Sequence, residues 1–220
     1  MNKHKAIIFD LDGVIVDTAK FHFLAWKKLA NELGFDFSEE QNEAMKGLSR
    51  VHSFQKLLEF GNKEVSNADF ERHLYNKNQD YLQRISTMAE NDLLPGVKKV
   101  LDFLIENQIP FALGSASKNA RLILKSLKIE NQFAAIVDGT DVQKAKPDPE
   151  VFLTASEKLK KSPAECIVFE DSVAGIEAAN SAGMTSIGIG DATILKEADY
   201  NFLDFTEIEI GCLEKLVLKK

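Results

Sequence analysis

Short apolar runs recur along the chain: KAIIF (5–9), IPFALG (109–114), AAIV (134–137), ECIVF (165–169), TSIGI (185–189) and, more weakly, YNFL (200–203). Each has the length of a buried strand, and β-branched residues are frequent in them. Between the later runs the pattern changes to a helical period, as in NARLILKSLKI, PEVFLTASEKLK and SVAGIEAANSAG. Such strands alternating with helices predict right-handed crossovers and a parallel sheet covered on both faces. The expected class is α/β, a doubly wound, mostly parallel sheet.

The first gap is different, because about a hundred residues separate the first run from the second. One crossover helix needs far fewer. Within the gap, TAKFHFLAWKKLANELG (18–34) has a stripe at helical spacing: Phe21, Ala25, the Lys28 stem, Leu29 and Leu33. SEEQ (38–41) has the form of a capping box and SNAD (66–69) of a looser one, with helical patterns near 51–60 and 67–88. The chain is expected to build a Rossmann-like core from residues 1–16 and 92–220, with a four-helix cap, 17–91, inserted after the first strand. Two crossings, after Asp17 and near LLPG (93–96), suggest a hinged lid.

Composition narrows the function classes. The 220 residues carry a formal net charge of -7, with 45% hydrophobic and 28% charged positions. An acidic total gives no global case for nucleic acid or membrane surfaces, although a pocket can still be locally basic. Cys166 and Cys212 form no CxxC or zinc spacing and suit a reducing compartment. The first apolar run is interrupted at Asp10 and Asp12, and no later stretch approaches the ~20 apolar residues of a membrane span. The expectation is a cytoplasmic monomer with a small-molecule substrate.

In an open parallel sheet, ligands bind beyond the carboxyl ends of the strands. The first strand ends in Asp10-Leu11-Asp12-Gly13, the second in Ser115, and the fourth in Glu170-Asp171; Lys146 follows the third, within DVQKAKPDP. Clustered carboxylates repel one another unless a cation joins them, and hard oxygen ligands suit magnesium beside a substrate phosphate. Lysine and serine then fit as partners of phosphoryl oxygens. One carboxylate can act as nucleophile through an aspartyl-phosphate, and a second, two residues away, can shuttle the proton.

DLDGVIVDT, SASKN, KAKPDPEVF and VFEDSVAGIEAANSAG resemble the four signatures of the haloacid dehalogenase superfamily, in the branch with a helical cap after the first strand. TAKFHFLAWK, KGLSRVHS and YNKN add a resemblance to its hexose-phosphate mutases. The resemblance implies Asp10 as the phosphorylated nucleophile and Asp12 as general acid/base. Magnesium would be held by Asp10, the Asp12 carbonyl and Asp171, with Glu170 in or near that shell. Ser115 and Lys146 would hold the transferring phosphoryl group; Arg50, Ser117, Lys118 and Asn119 would hold the other phosphate. Thr18, His22, Trp26, Lys46, Gly47, Lys77 and Ala116 would serve lid closure and sugar contacts. β-Glucose 1,6-bisphosphate would be primer and intermediate. Gly114 departs from the mutase pattern, where alanine is expected.

Plainer readings compete at several positions. Asp171 could cap the helix 173–180, His22 could be a surface histidine, Trp26 lid packing, and Lys77 a solvated lysine. A sugar-phosphate phosphatase is the runner-up function, because core signatures are shared. A phospho-accepting signalling module is disfavoured, since it leaves the large insert without purpose.

Overall fold

The structure, a computed structural model, describes residues 4–218. Its strands are β1 (Ala6–Phe9), β2 (Phe111–Gly114), β3 (Ala135–Val137), β4 (Cys166–Glu170), β5 (Thr185–Ile189) and β6 (Tyr200–Phe202). All pair in parallel, in the order β3-β2-β1-β4-β5-β6. Each of the six apolar runs lies on a strand, the weak YNFL included. The runs are continuous because both faces are covered. Ile7, Phe9, Phe169 and Ile187 point into one cluster, Ile8, Ala112 and Val168 into the other. Fully burying such a side chain contributes about 1.5–3 kcal/mol. Chain order moves outward from β1 to β3, then returns to β4 on the opposite side of β1. That reversal opens a crevice at the carboxyl ends of β1 and β4.

Four helices follow β1: α1 (Ala19–Glu32), α2 (Glu39–Glu43), α3 (Arg50–Gly61) and α4 (Asn67–Ile85). Ser38 forms the expected capping box with Gln41, and Ser66 Oγ accepts from the Asp69 N–H at 3.2 Å. α4 stops at Ile85, short of the expected 88, where Ser86 Oγ donates to the Gln83 carbonyl at 2.8 Å. A hydroxyl that takes a local carbonyl competes with helix propagation. α1, α3 and α4 enclose a cluster of their own, with Trp26, Leu29, Phe37, Phe54 and Leu57 at its centre. Outgoing and returning chains run side by side: Val16 bridges Leu93, and the Leu94 N–H donates to the Ile15 carbonyl at 3.0 Å.

The sheet is covered by α5 (Val97–Glu106), α6 (Ala120–Ser126), α7 (Glu150–Lys158), α8 (Val173–Ser181) and α9 (Ile210–Val217). The sequence pattern does not announce α9. It has eight residues and no side-chain cap, and its helical state rests on burying Leu213 and Val217.

Candidate active site

Strand register creates the floor of the site. Phe9 pairs with Phe169, their rings stacked at 5.3 Å, and the Asp10 N–H donates to the Phe169 carbonyl at 2.9 Å. Asp10 and Glu170 therefore emerge together at the carboxyl edge. Lys146 lies between them, its Nζ donating to Asp10 Oδ1 at 2.6 Å and to Glu170 Oε1. The second Glu170 oxygen accepts from Ser172 N–H at 2.8 Å and Oγ–H at 2.9 Å. Burial alone lowers the Lys146 pKa; Asp10 and Glu170 outweigh it and raise the value overall. The ammonium is firmly charged.

Oxygens of Asp10, Glu170 and Asp171 lie within 4.8 Å of one another. Burial, then Lys146 in opposition and Glu170 in support, leaves the Asp10 carboxyl pushed up to about 6. Burial first, then Glu170 and Asp10, hold Asp171 well above the carboxylate range, with Lys46 opposing. An all-oxygen set that resists joint ionisation fits a hard divalent cation. Gly13 is required here twice over. Its φ is +76, and a Cβ at this position would fall 2.1 Å from Asp171 Oδ2. Asp171 is not the cap of α8; Ser172 is, accepting from the Gly175 N–H at 3.1 Å, which leaves the Asp171 carboxylate to the cleft.

Asp12 is pushed up to about 8 by burial and then by Asp10, with Lys146 and Lys77 opposing. It holds a proton near neutrality, as a general acid must. Thr18 Oγ1–H donates to Asp12 Oδ1. Thr18 occupies the N-cap of α1 without a side-chain cap bond; Asp17 instead accepts from the Ala19 N–H at 3.1 Å.

The facing wall comes from the inserted helices. His22 and Trp26 are one turn apart on α1, as are Lys77 and Tyr81 on α4. Lys77 Nζ and His22 Nδ1 are hydrogen-bonded at 2.9 Å, and the Nζ lies 4.1 Å from the Trp26 ring centroid and 5.1 Å from that of Tyr81. Burial, then Arg50, holds Lys77 well below the lysine range, with Asp12 and Asp80 opposing. Burial, then Lys77 and Arg50, also lowers His22, which stacks on Tyr81 at 4.1 Å. Neither the solvated-lysine nor the surface-histidine reading survives. Trp26 stacks on Phe54 at 6.2 Å in the insert's cluster and also lines the cleft.

Arg50 opens α3, behind the cap Ser49, and burial lowers its pKa, with Tyr81 opposing. Lys46 pairs with Glu43 at 2.9 Å and reaches Asp171 at 3.5 Å. Gly47 has φ +75, and a Cβ would come 2.6 Å from Ser172 Oγ, so the insert's backbone rests on the cap of α8. After β2, Ser115 Oγ accepts from the Ser117 N–H at 3.1 Å and Ser117 Oγ from the Asn119 N–H at 3.3 Å. Asn119 Nδ2 donates across the cleft to Asn78 Oδ1 at 3.0 Å.

One cleft is lined by Asp10, Asp12, His22, Trp26, Lys46, Gly47, Arg50, Lys77, Ser115, Ala116, Ser117, Lys118, Asn119 and Asp171. Thr18, Lys146 and Glu170 stand behind its wall, bonded to Asp12, Asp10 and one another as described. Asn42 and Ser53 also line it, and Asn78 and Tyr81 support it, none of them anticipated. Asn78 sits beside Lys77 in YNKN, which was the available signal. Ser53 closes the KGLSRVHS stretch, whereas Asn42 and Tyr81 belong to no motif, and only packing brings them in.

The sequence model for haloacid dehalogenase-like hydrolases matches residues 7–189, and the chain belongs to that family. It is 46% identical over 197 residues to a β-phosphoglucomutase of Bacillus subtilis, covering 89% of this chain and 87% of that protein. It is 31% identical over 201 residues to a phosphorylated carbohydrates phosphatase of Thermotoga maritima, covering 88% and 91%. A crystal structure of β-phosphoglucomutase from Clostridium difficile superposes with TM-score 0.93 at 40% identity, covering 98% of this chain and 97% of that one.

Proposed function

We propose that the chain is a β-phosphoglucomutase, an isomerase converting β-D-glucose 1-phosphate to glucose 6-phosphate through β-glucose 1,6-bisphosphate. The observation that carries this reading is a pair of uncommitted cations. Arg50 from the insert and Lys118 from the core line the same cleft as Asp10, and neither takes part in an ion pair among the described residues. A hydrolase needs one anion site and a water; a bisphosphate bound in either direction needs two. Overall similarity points the same way, 46% to a mutase against 31% to a phosphatase.

In this reading Asp10 carries the phosphoryl group as an acyl phosphate. The C6 hydroxyl of β-glucose 1-phosphate attacks that phosphorus while Asp12 accepts its proton, releasing the Asp10 carboxylate and forming the bisphosphate. After reorientation Asp10 attacks the C1 phosphate. Asp12 returns the proton to the departing O1, leaving glucose 6-phosphate and phosphorylated Asp10. Ser115 and Lys146 hold the moving phosphoryl group, while Arg50, Ser117, Lys118 and Asn119 hold the stationary one. Asp10, the Asp12 carbonyl, Asp171 and Glu170 form the seat for magnesium, which when bound neutralises phosphoryl charge. Residues 17–91 act as a lid over a core of 1–16 and 92–220, bringing His22, Lys46, Arg50 and Lys77 to the substrate and keeping water from the acyl phosphate. All these groups come from one chain.

The test supplies protein with magnesium, β-glucose 1-phosphate and a trace of bisphosphate, and measures glucose 6-phosphate and free phosphate separately. Stoichiometric phosphate release without glucose 6-phosphate would overturn the proposal. Arg50→Ala is expected to lower mutase kcat/KM about a hundredfold or more, since it leaves a bound phosphate without its charge-assisted partner. Hydrolysis of a simple aryl phosphate should fall far less; equal losses would remove the distal site.

A further inference from the structure

The Lys146 ammonium has a third neighbour that the proposed chemistry does not use. Its Nζ lies 4.8 Å from the centroid of the Phe152 ring. Phe152 is the third residue of α7 and fully buried, in the cluster that also holds Ile8, Ala112 and Val168. Gly114, the last residue of β2, makes room for that ring. A Cβ there would stand 2.9 Å from Phe152 Cδ1 and 3.1 Å from Cε1. Gly114 is not among the positive-φ glycines, so the ring and not the backbone conformation explains the departure from alanine.

We infer that Phe152 is a positioning residue for phosphoryl transfer, its ring face holding the Lys146 ammonium in place by cation–π attraction. The inference rests on the function proposed above. Lys146 must change partners during that cycle. When Asp10 becomes an acyl phosphate, the charge it offered Lys146 moves to the phosphoryl oxygens, and it returns when the group departs. A carboxylate as third neighbour would cancel the ammonium charge and repel the phosphoryl group. A phenyl face attracts the ammonium through its quadrupole, keeps the charge available, and stays unchanged through the cycle. The arrangement also leaves two of the three ammonium donors for oxygen partners, Asp10 and Glu170 in the present state.

Because Phe152 is also core, ordinary truncation confounds packing with positioning. The test therefore replaces Phe152 with mono-, di- and trifluorophenylalanine, which keep the shape and progressively remove the negative ring face. Mutase kcat is expected to fall stepwise, reaching about tenfold for the trifluoro protein, with KM changed much less. Phe152→Tyr, which keeps a π face, should retain more activity than Phe152→Leu. A second measurement needs no turnover: the urea midpoint should fall with fluorine number in the wild-type background and stay flat in Lys146→Met. A flat kcat series, or equal midpoint slopes in both backgrounds, overturns the inference. Absence of turnover in the unsubstituted protein would instead overturn the proposed function, and the midpoint comparison would still decide the role of Phe152.

Discussion

The two walls of the cleft solve the same problem in opposite ways. On the sheet side, Asp10, Glu170 and Lys146 form a buried network in which the carboxylates meet a cation within hydrogen-bond distance. On the helix side Lys77 is equally buried, yet its near contacts are a neutral imidazole nitrogen and two aromatic rings. Burying a charge is costly unless it is paired. The sheet side meets that cost locally; the helix side leaves it open to an anion. The difference teaches which wall is machinery and which is receptor. A self-satisfied network keeps its geometry between turnovers, and an under-satisfied cation gains most when a phosphate arrives.

Removing the proposed nucleophile is expected to have the largest effect. Asp10→Asn should lower mutase turnover on the order of 10^4-fold or more and abolish acid-stable protein phosphorylation, followed with labelled bisphosphate. Persistent turnover would mean that the paired sheet wall is scaffold only.

Asp12→Asn sharpens the electrostatic side of the comparison. The folded protein keeps the Asp12 proton up to about 8, whereas an ordinary aspartate loses it near 3.8. Between those values the native state binds the extra proton, so this residue's contribution falls as pH rises, by up to roughly 1.4 kcal/mol per unit. The metal-free Asp12→Asn protein should therefore gain on the wild type across that window and stop gaining above it. Urea midpoints measured across the pH range check the slope, and a constant difference would place Asp12 in an ionised, solvated setting.

Lys77→Met tests the receptor wall. Without ligand it is expected to stabilise the protein by about 1–3 kcal/mol, because a buried, poorly compensated cation is replaced by an apolar chain of similar length. Mutase KM should rise in the same variant. Thermal denaturation and initial rates together decide the matter; a loss of stability would show that the rings and His22 already satisfy Lys77.

Gly114→Ala is the smallest perturbation. A methyl group at 2.9 Å from Phe152 forces the ring to shift, and the expected cost is about 1 kcal/mol in a denaturant midpoint. No change would mean that the core yields there freely.

Much of the sheet wall was legible beforehand, because local order creates it. An apolar strand followed at once by Asp10 and Asp12, and another by Glu170 and Asp171, leaves few places for those carboxylates except the carboxyl edge. The expected capping box at Ser38 followed from spacing alone, as did all six strands. α9 was not legible, since eight residues without a cap become helical only when Leu213 and Val217 find a core. The departure at Gly114 was visible as a letter but not as a cause, because the ring that excludes alanine is 38 residues away along the chain.

What the sequence determined by itself is the order of the strands and of the helices before α9, and the chemistry at strand ends, because period, caps and adjacent residues act over a few positions. Tertiary structure alone decided that Thr18 bonds Asp12 rather than its own helix. It decided likewise that Lys77 is buried between His22, Trp26 and Tyr81, that Asn119 reaches Asn78, and that Phe152 lies against Lys146. These contacts join distant segments, and the burial that gives each its charge state exists only once the helices close over the sheet.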